Sequence, residues 1–233
     1  MTSPAVGSRL ASGLESGLGP DPEPWRGLLP ADHRFVALPS RGRPLVVAAA
    51  EAPVLSYVRT ALLAAQPHSA VPDWAYAAVR EILRVRPLWR LMPQLAPAAH
   101  GRRPDRSGLA ELLAAHGTRL LVLRHSHDPD ARTLLLLFGP DEPWPTLAVK
   151  LPTGPGAATR VLAEAERLRA VGALPLGELR TTVPEVVELV LHAGLPALVT
   201  TAQPGTPMLV AYHRHAHTAR PAAKSARTAA AQA

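Results

Sequence analysis

Two side chains of opposite charge stand at positions where they could form a fixed cationic site. Lys150 lies near the end of a predicted strand, 146–151, and Glu164 follows fourteen residues later inside a predicted helix. A lysine on a rigid strand supplies a cation at a defined place, and a carboxylate on a neighbouring helix can hold it by a charge-assisted hydrogen bond. The chemistry open to such a pair is the binding of an anionic group such as a phosphate.

The helix that carries Glu164 is predicted over residues 157–171. Its inward side is predicted from apolar residues at helical spacing: Val161, Leu162, Ala165 and Leu168. Glu164 falls near this stripe, as a residue must if it is to reach a lysine on a buried sheet. Glu166 points further round the helix and is the second choice.

Five strands are predicted before and after this helix in the sequence. Short apolar runs bounded by turn residues place them at 119–124, 133–138, 146–151, 185–191 and 195–201. The turn His192-Ala193-Gly194 joins the last two strands. Because the helix follows the third strand, the order of elements is β-β-β-α-β-β.

Three of these elements carry a resemblance to kinases. Residues 147–150 read L-A-V-K and resemble the V-A-I-K strand of protein kinases. Residues 163–168, A-E-A-E-R-L, look like the R-E-A-x-x-L helix of aminoglycoside phosphotransferases. Residues 197–205 resemble the fifth strand and hinge of that family. The stretch from about 117 to 212 thus resembles the N-terminal small lobe of an aminoglycoside phosphotransferase or protein-kinase-like protein.

The resemblance implies a lobe with ATP as its cofactor. Lys150 would contact the nucleotide phosphates, and Glu164 would hold Lys150 in place. The hinge residues that would lie beside the adenine base are Thr200, Thr201, Ala202 and Gln203. The resemblance assigns no catalytic residue and no metal ligand to this stretch.

The sequence departs from the family at two places. The turn 125–131 contains no glycine, so a Gly-rich cover over the phosphates is not expected. The family carries its catalytic and metal-binding aspartates in a large lobe after the hinge, whereas the 28 residues after Gly205 contain neither Asp nor Glu. We therefore expect a truncated or split kinase-like phosphotransferase without a magnesium site. It would be inactive alone, as a pseudokinase is, or completed by a separately encoded catalytic lobe or another protein.

The predicted fold class is α+β. A five-stranded antiparallel kinase-like small lobe with one main helix, 108–211, is preceded by a small α/β N-terminal region, 25–98. In that region a hairpin is predicted at 34–39 and 45–49, and helices at 52–65 and 74–84. The remaining parts are a flexible leader at 1–24, a linker at 99–107 and a basic Ala-rich tail at 212–233.

Composition limits the functions that the chain can have. Hydrophobic residues make up 47% of the 233 residues, which is enough to bury a core. The absence of cysteine excludes disulfides, thiolate catalysis and cysteine zinc sites, and it fits a cytoplasmic location. No signal peptide and no membrane-spanning run is recognisable, so we expect no membrane partner.

Two alternative functions stay open. One is a non-enzymatic protein-interaction module built on the small-lobe fold. The other is a nucleic-acid-associated protein, which the net charge of +7 would suit. It ranks last because no recognition helix or RNA-binding aromatic motif is visible.

Other groups that could do chemistry are less specific. His213, His215 and His217 alternate in the tail without a fixed geometry, so a solvated basic tail is predicted there and no metal site. Asp128 and Asp130 flank a proline, which is typical of a turn. No G-x-S-x-G, Walker A or H-E-x-x-H motif is present.

Overall fold

The computed structural model describes residues 25–30, 33–38, 44–63, 73–95, 108–115, 119–124, 131–140 and 142–203. The predicted leader, linker and tail lie outside the described residues, as do the two aspartates and three histidines considered above for turn and metal chemistry.

An antiparallel sheet of eight strands forms the centre of the fold. The strands are β1 (Phe35–Leu38), β2 (Val46–Ala49), β3 (Gln94–Leu95), β4 (Arg119–Arg124), β5 (Arg132–Phe138), β6 (Pro145–Pro152), β7 (Val186–His192) and β8 (Leu195–Thr201). Their order across the sheet is β3-β1-β2-β4-β5-β6-β8-β7, and neighbouring strands are antiparallel throughout.

Helices cover this sheet and confirm the predicted mixture of helix and strand. The α-helices are α1 (Ala52–Tyr57), α2 (Asp73–Arg84), α3 (Gly108–Ala115) and α4 (Pro155–Gly172). Short 3₁₀-helices cover Arg26–Leu28, Arg86–Leu91 and Gly177–Thr182, and a π-helix covers Val58–Leu62. Within the ranges given above, none of the helices combines the length and the apolar character needed to cross a membrane.

The sheet has eight strands, rather than the five predicted, because the N-terminal hairpin and the short strand β3 join it. Val47 of β2 lies opposite Val122 of β4, and both residues are buried. Without β2, the outer edge of β4 would carry a row of unpaired backbone N–H and C=O groups. The division into regions 25–98 and 108–211 stays a prediction, while strands from both regions share one sheet.

The central strands are buried on both faces. All residues of 120–123 in β4 are buried, which explains their continuous rather than alternating apolar pattern. The same core cluster includes Leu109 and Leu113 of α3 and Val54 and Leu55 of α1. This cluster therefore spans the N-terminal hairpin, helices α1 and α3 and the middle of the sheet.

Helix α4 lies on the sheet against β6 and β8. It begins at Pro155, directly after the extended residue Gly154, where the missing proline N–H costs no intrahelical hydrogen bond. Val161 and Ala165 are fully buried and pack with Leu198 of β8. This contact fixes which side of α4 faces the sheet.

The helix predicted over 52–65 differs in the structure. Regular α-helix gives way to π-helix, in which the Leu63 N–H donates to the Val58 carbonyl at 2.9 Å. The Thr60 hydroxyl donates to the Ser56 carbonyl at 2.8 Å, a bond that often accompanies helix bending. No periodic pattern in the sequence predicts this change, nor the short strand β3.

Candidate functional site

Lys150 lies on the face of the sheet that α4 partly covers. It pairs opposite Leu134 of β5 and Leu198 of β8. Directly opposed residues point to the same face of a sheet, and Leu198 packs against α4. The Lys150 side chain, 19% exposed, therefore lies on the same side of the sheet as α4.

The contact that the resemblance implies between Lys150 and Glu164 is present. The Lys150 ammonium donates to Oε1 of Glu164, and only 26% of the Glu164 side chain is exposed. Glu166, the second choice, is exposed. Because Val161 and Ala165 anchor α4 on the sheet, Glu164 is presented to Lys150 by a helix that is itself held in the core.

A second cation shares the same carboxylate. Nη1 of Arg132, the first residue of β5, donates to Oε2 of Glu164 at 2.7 Å. The sequence reasoning missed Arg132, because only the register of β5 against β6 places it beside Lys150. Arg132 comes two residues before Leu134, which lies opposite Lys150, so the period of a strand places Arg132 and Lys150 on one face.

The three charged groups leave an excess of positive charge. Lys150 and Arg132 carry one positive charge each, and Glu164 supplies one negative charge. A bound anion would therefore compensate charge that Glu164 alone does not balance.

Apolar side chains continue the face beside Lys150. In the next row of the sheet Ala148 lies between Leu136 of β5 and Thr200 of β8. Ala148 and Leu134 are half-buried, so part of this apolar surface is open. A strip of sheet that is cationic at one end and apolar at the other can accept a ligand with an anionic end and an apolar body.

The predicted hinge residues follow this strip. Thr200 is buried, with its hydroxyl 3.4 Å from the Ala148 carbonyl. The backbone N–H of Thr201 donates to the Glu185 carbonyl at 2.9 Å, and that of Ala202 donates to the Thr146 carbonyl at 2.8 Å.

Thr201 and Ala202 therefore already use their backbone donors within the fold. The Thr201 hydroxyl also accepts the Glu185 N–H at 2.9 Å. Gln203, the last described residue, is half-buried. It lies two residues beyond Thr201, which pairs with Leu147 of β6. Of the four predicted hinge residues, Gln203 is placed best to offer a donor to a base.

Other ion pairs include none of Lys150, Arg132 and Glu164, and they connect elements. Glu51, next to α1, contacts Arg119 of β4 at 2.6 Å and His33 at 3.6 Å. Arg180 contacts Glu185 at 2.9 Å, just before β7. These pairs join neighbouring segments of the fold. In the part of the chain that the structure describes, no three His, Cys, Asp or Glu side chains are grouped to hold a metal ion.

A shallow groove of about 450 Å³ lies between α1 and α2, in the N-terminal region. Its lining residues are Ala52, Ser56, Arg59, Leu83, Arg84 and Trp89. It includes none of the residues around Lys150. The groove is open and shallow, so the charged sheet face carries the more specific chemistry.

Comparison of the chain with protein-family models, with curated proteins and with solved structures gives no match. The functional argument therefore rests on the residues and their geometry.

Proposed function

We propose that the described part of segment 108–211 is a kinase-like small lobe that binds ATP, with Lys150 on the phosphates. The observation that carries the proposal is the contact between Lys150 and Glu164, which come from a strand and a helix fourteen residues apart. A cation held by a helix that is anchored in the core stays at one place on the sheet. Phosphate binding for group transfer needs such a fixed cation.

The arrangement of elements also supports the proposal. Three antiparallel strands, β4, β5 and β6, are followed by α4 and by a hairpin whose strand β8 pairs with β6. This is the order β-β-β-α-β-β on which the resemblance rests. The five strands are one part of the larger sheet, which β2 extends on the side of β4.

The surface beside Lys150 suits the rest of a nucleotide. Leu134 and Ala148 offer half-buried apolar surface on which a base could lie. Gln203, at the end of the same strip, could offer its backbone or side-chain amide to the base. The ligand would then lie along the sheet, with its phosphates at Lys150 and its base toward the hinge.

Phosphoryl transfer needs more than a bound nucleotide. It requires a catalytic base and a divalent metal beside the phosphates. No residue of the described segment is assigned to either role. The proposal for this segment is nucleotide binding, and the groups for transfer would come from elsewhere in the polypeptide or from a partner.

Thermal shift with magnesium and ATP tests the proposal. A ligand at about 100 times its Kd stabilises the folded state by about 2.7 kcal/mol, which is about 5 to 10 °C for a chain of this size. We expect this shift for the wild type and its loss in Lys150→Met. The matched control is Lys224→Met, since Lys224 is the other lysine of the chain. An unchanged Tm of the wild type, or an equal shift in Lys150→Met, would refute nucleotide binding at Lys150.

One observation favours the interaction-module alternative. Strand β7 lies at an edge of the sheet, and Val187 and Leu191 on it are each 50% exposed. Exposed apolar residues on an edge strand are typical of a surface that pairs with another protein. Retention of the native melting profile without any response to nucleotide would favour this alternative.

A further inference from the structure

Arg132 holds a position that a structural ion pair alone does not explain. It begins β5, and 55% of its side chain is exposed, compared with 19% for Lys150. Its Nη1 contacts Glu164, which Lys150 already contacts through the other carboxylate oxygen. Two cations thus lie within the width of one carboxylate, although one of them would be enough to pair it.

The two cations differ in what they can offer a ligand. Lys150 is mostly buried and presents a compact ammonium. Arg132 has a planar guanidinium with five N–H donors, and its exposure leaves donors that water or a phosphate can reach. Guanidinium groups bind phosphate oxygens in pairs of parallel hydrogen bonds, and such bonds are among the strongest that side chains make.

We propose that Arg132 is a second phosphate-binding residue, which moves from Glu164 to the terminal phosphates of a nucleoside di- or triphosphate. The inference rests on the proposed function and deepens it. Lys150 would keep its contact with Glu164 and hold the inner phosphates. Arg132 would contact the outer phosphates from the start of β5, and the site would select ligands by their number of phosphates.

The charges around Glu164 support this assignment. A carboxylate shared by two cations can release one of them without becoming an unpaired buried charge, because Lys150 stays in contact with it. The released guanidinium gains a partner with more negative charge than the Glu164 carboxylate, since each additional phosphate carries further negative charge. The exchange is thus favoured by a polyphosphate and much less by a single phosphate.

The test is calorimetric titration of the full chain with AMP, ADP and ATP. The proteins are the wild type, Arg132→Gln, Arg132→Lys and Lys150→Met. The control is Arg84→Gln, since Arg84 is an exposed arginine of α2 that contacts Glu81 at 3.7 Å. In the wild type we expect affinity to rise from AMP to ATP. Arg132→Gln should weaken the affinity for ATP by about tenfold or more, because one charge-assisted hydrogen bond is lost. It should weaken the affinity for AMP by about twofold or less.

Four further outcomes have distinct meanings. Equal weakening of AMP and ATP in Arg132→Gln, or none, overturns the inference, because a residue that only braces α4 would not sense the number of phosphates. Partial recovery of ATP affinity in Arg132→Lys supports it, since a cation is restored without the guanidinium geometry. Wild-type protein that binds none of the nucleotides refutes the proposed function and this inference together. Binding that depends on Lys150 but not on Arg132 refutes the inference alone.

Discussion

Removal of the Lys150–Glu164 contact should destabilise the fold by an amount that depends on which partner is removed. In Glu164→Gln, two cations lose their shared counter-charge while they remain close together. In Lys150→Met, Glu164 keeps Arg132 as a partner at 2.7 Å. We therefore expect Glu164→Gln to lower the free energy of unfolding by about 2 kcal/mol and Lys150→Met by about 1 kcal/mol.

The size of the coupling follows from the burial of the pair. Exposed ion pairs contribute about 0.2 to 1 kcal/mol, and hydrogen bonds to charged groups contribute about 1.5 to 3 kcal/mol. The side chains of Lys150 and Glu164 are 19% and 26% exposed, so the pair lies between these cases. A double-mutant cycle should give a coupling of about 1 to 2 kcal/mol.

Urea unfolding of the wild type, the two single variants and the double variant measures this coupling. The control cycle is Glu81 with Arg84, whose side chains are 71% and 67% exposed and which should couple by less than about 0.5 kcal/mol. The reasoning is refuted if the Lys150–Glu164 coupling is no larger than that of the control. It is also refuted if Lys150→Met costs more than Glu164→Gln, because Arg132 would then not share the carboxylate.

Two further predictions concern backbone strain and burial. Ala193 in the β7–β8 turn has φ 49° beside Gly194 at φ 78°. Ala193→Gly should therefore raise the free energy of unfolding, measured in urea, by about 1 kcal/mol, and Gly194→Ala should lower it. Changes of the opposite sign would contradict the assigned turn. Burial beside Phe138 and Trp144 raises the pKa of Tyr57 above its ordinary value of 10.0. The unfolded chain then loses this proton first, so stability should fall as the pH rises above about 10. Absorbance titration should show a late tyrosine ionisation that Tyr57→Phe removes, and an unchanged titration would contradict the burial.

Much of the local structure could be predicted from the sequence. The strands Arg119–Arg124 and Leu195–Thr201 begin and end at the predicted residues, because apolar runs bounded by turn residues are local signals. The contact of Lys150 with Glu164 could be anticipated as well. The strand pattern predicts which face of the sheet carries Lys150, and the apolar stripe predicts which side of the helix meets the sheet. The resemblance indicates that these two surfaces face each other.

Other features depend on strand register, which sequence patterns do not encode. The pairing of β2 with β4 extends the sheet to eight strands, and it joins segments that are distant in sequence. The register of β5 against β6 brings Arg132 beside Lys150 and gives Glu164 its second partner. A shift of that register by one residue would turn Arg132 to the opposite face, although the residue types and their spacing would be unchanged. The sequence thus determined most of the elements and, through the resemblance, the Lys150–Glu164 pair. The register of strands packed in the sheet decided that Arg132 is the third charged group of the site.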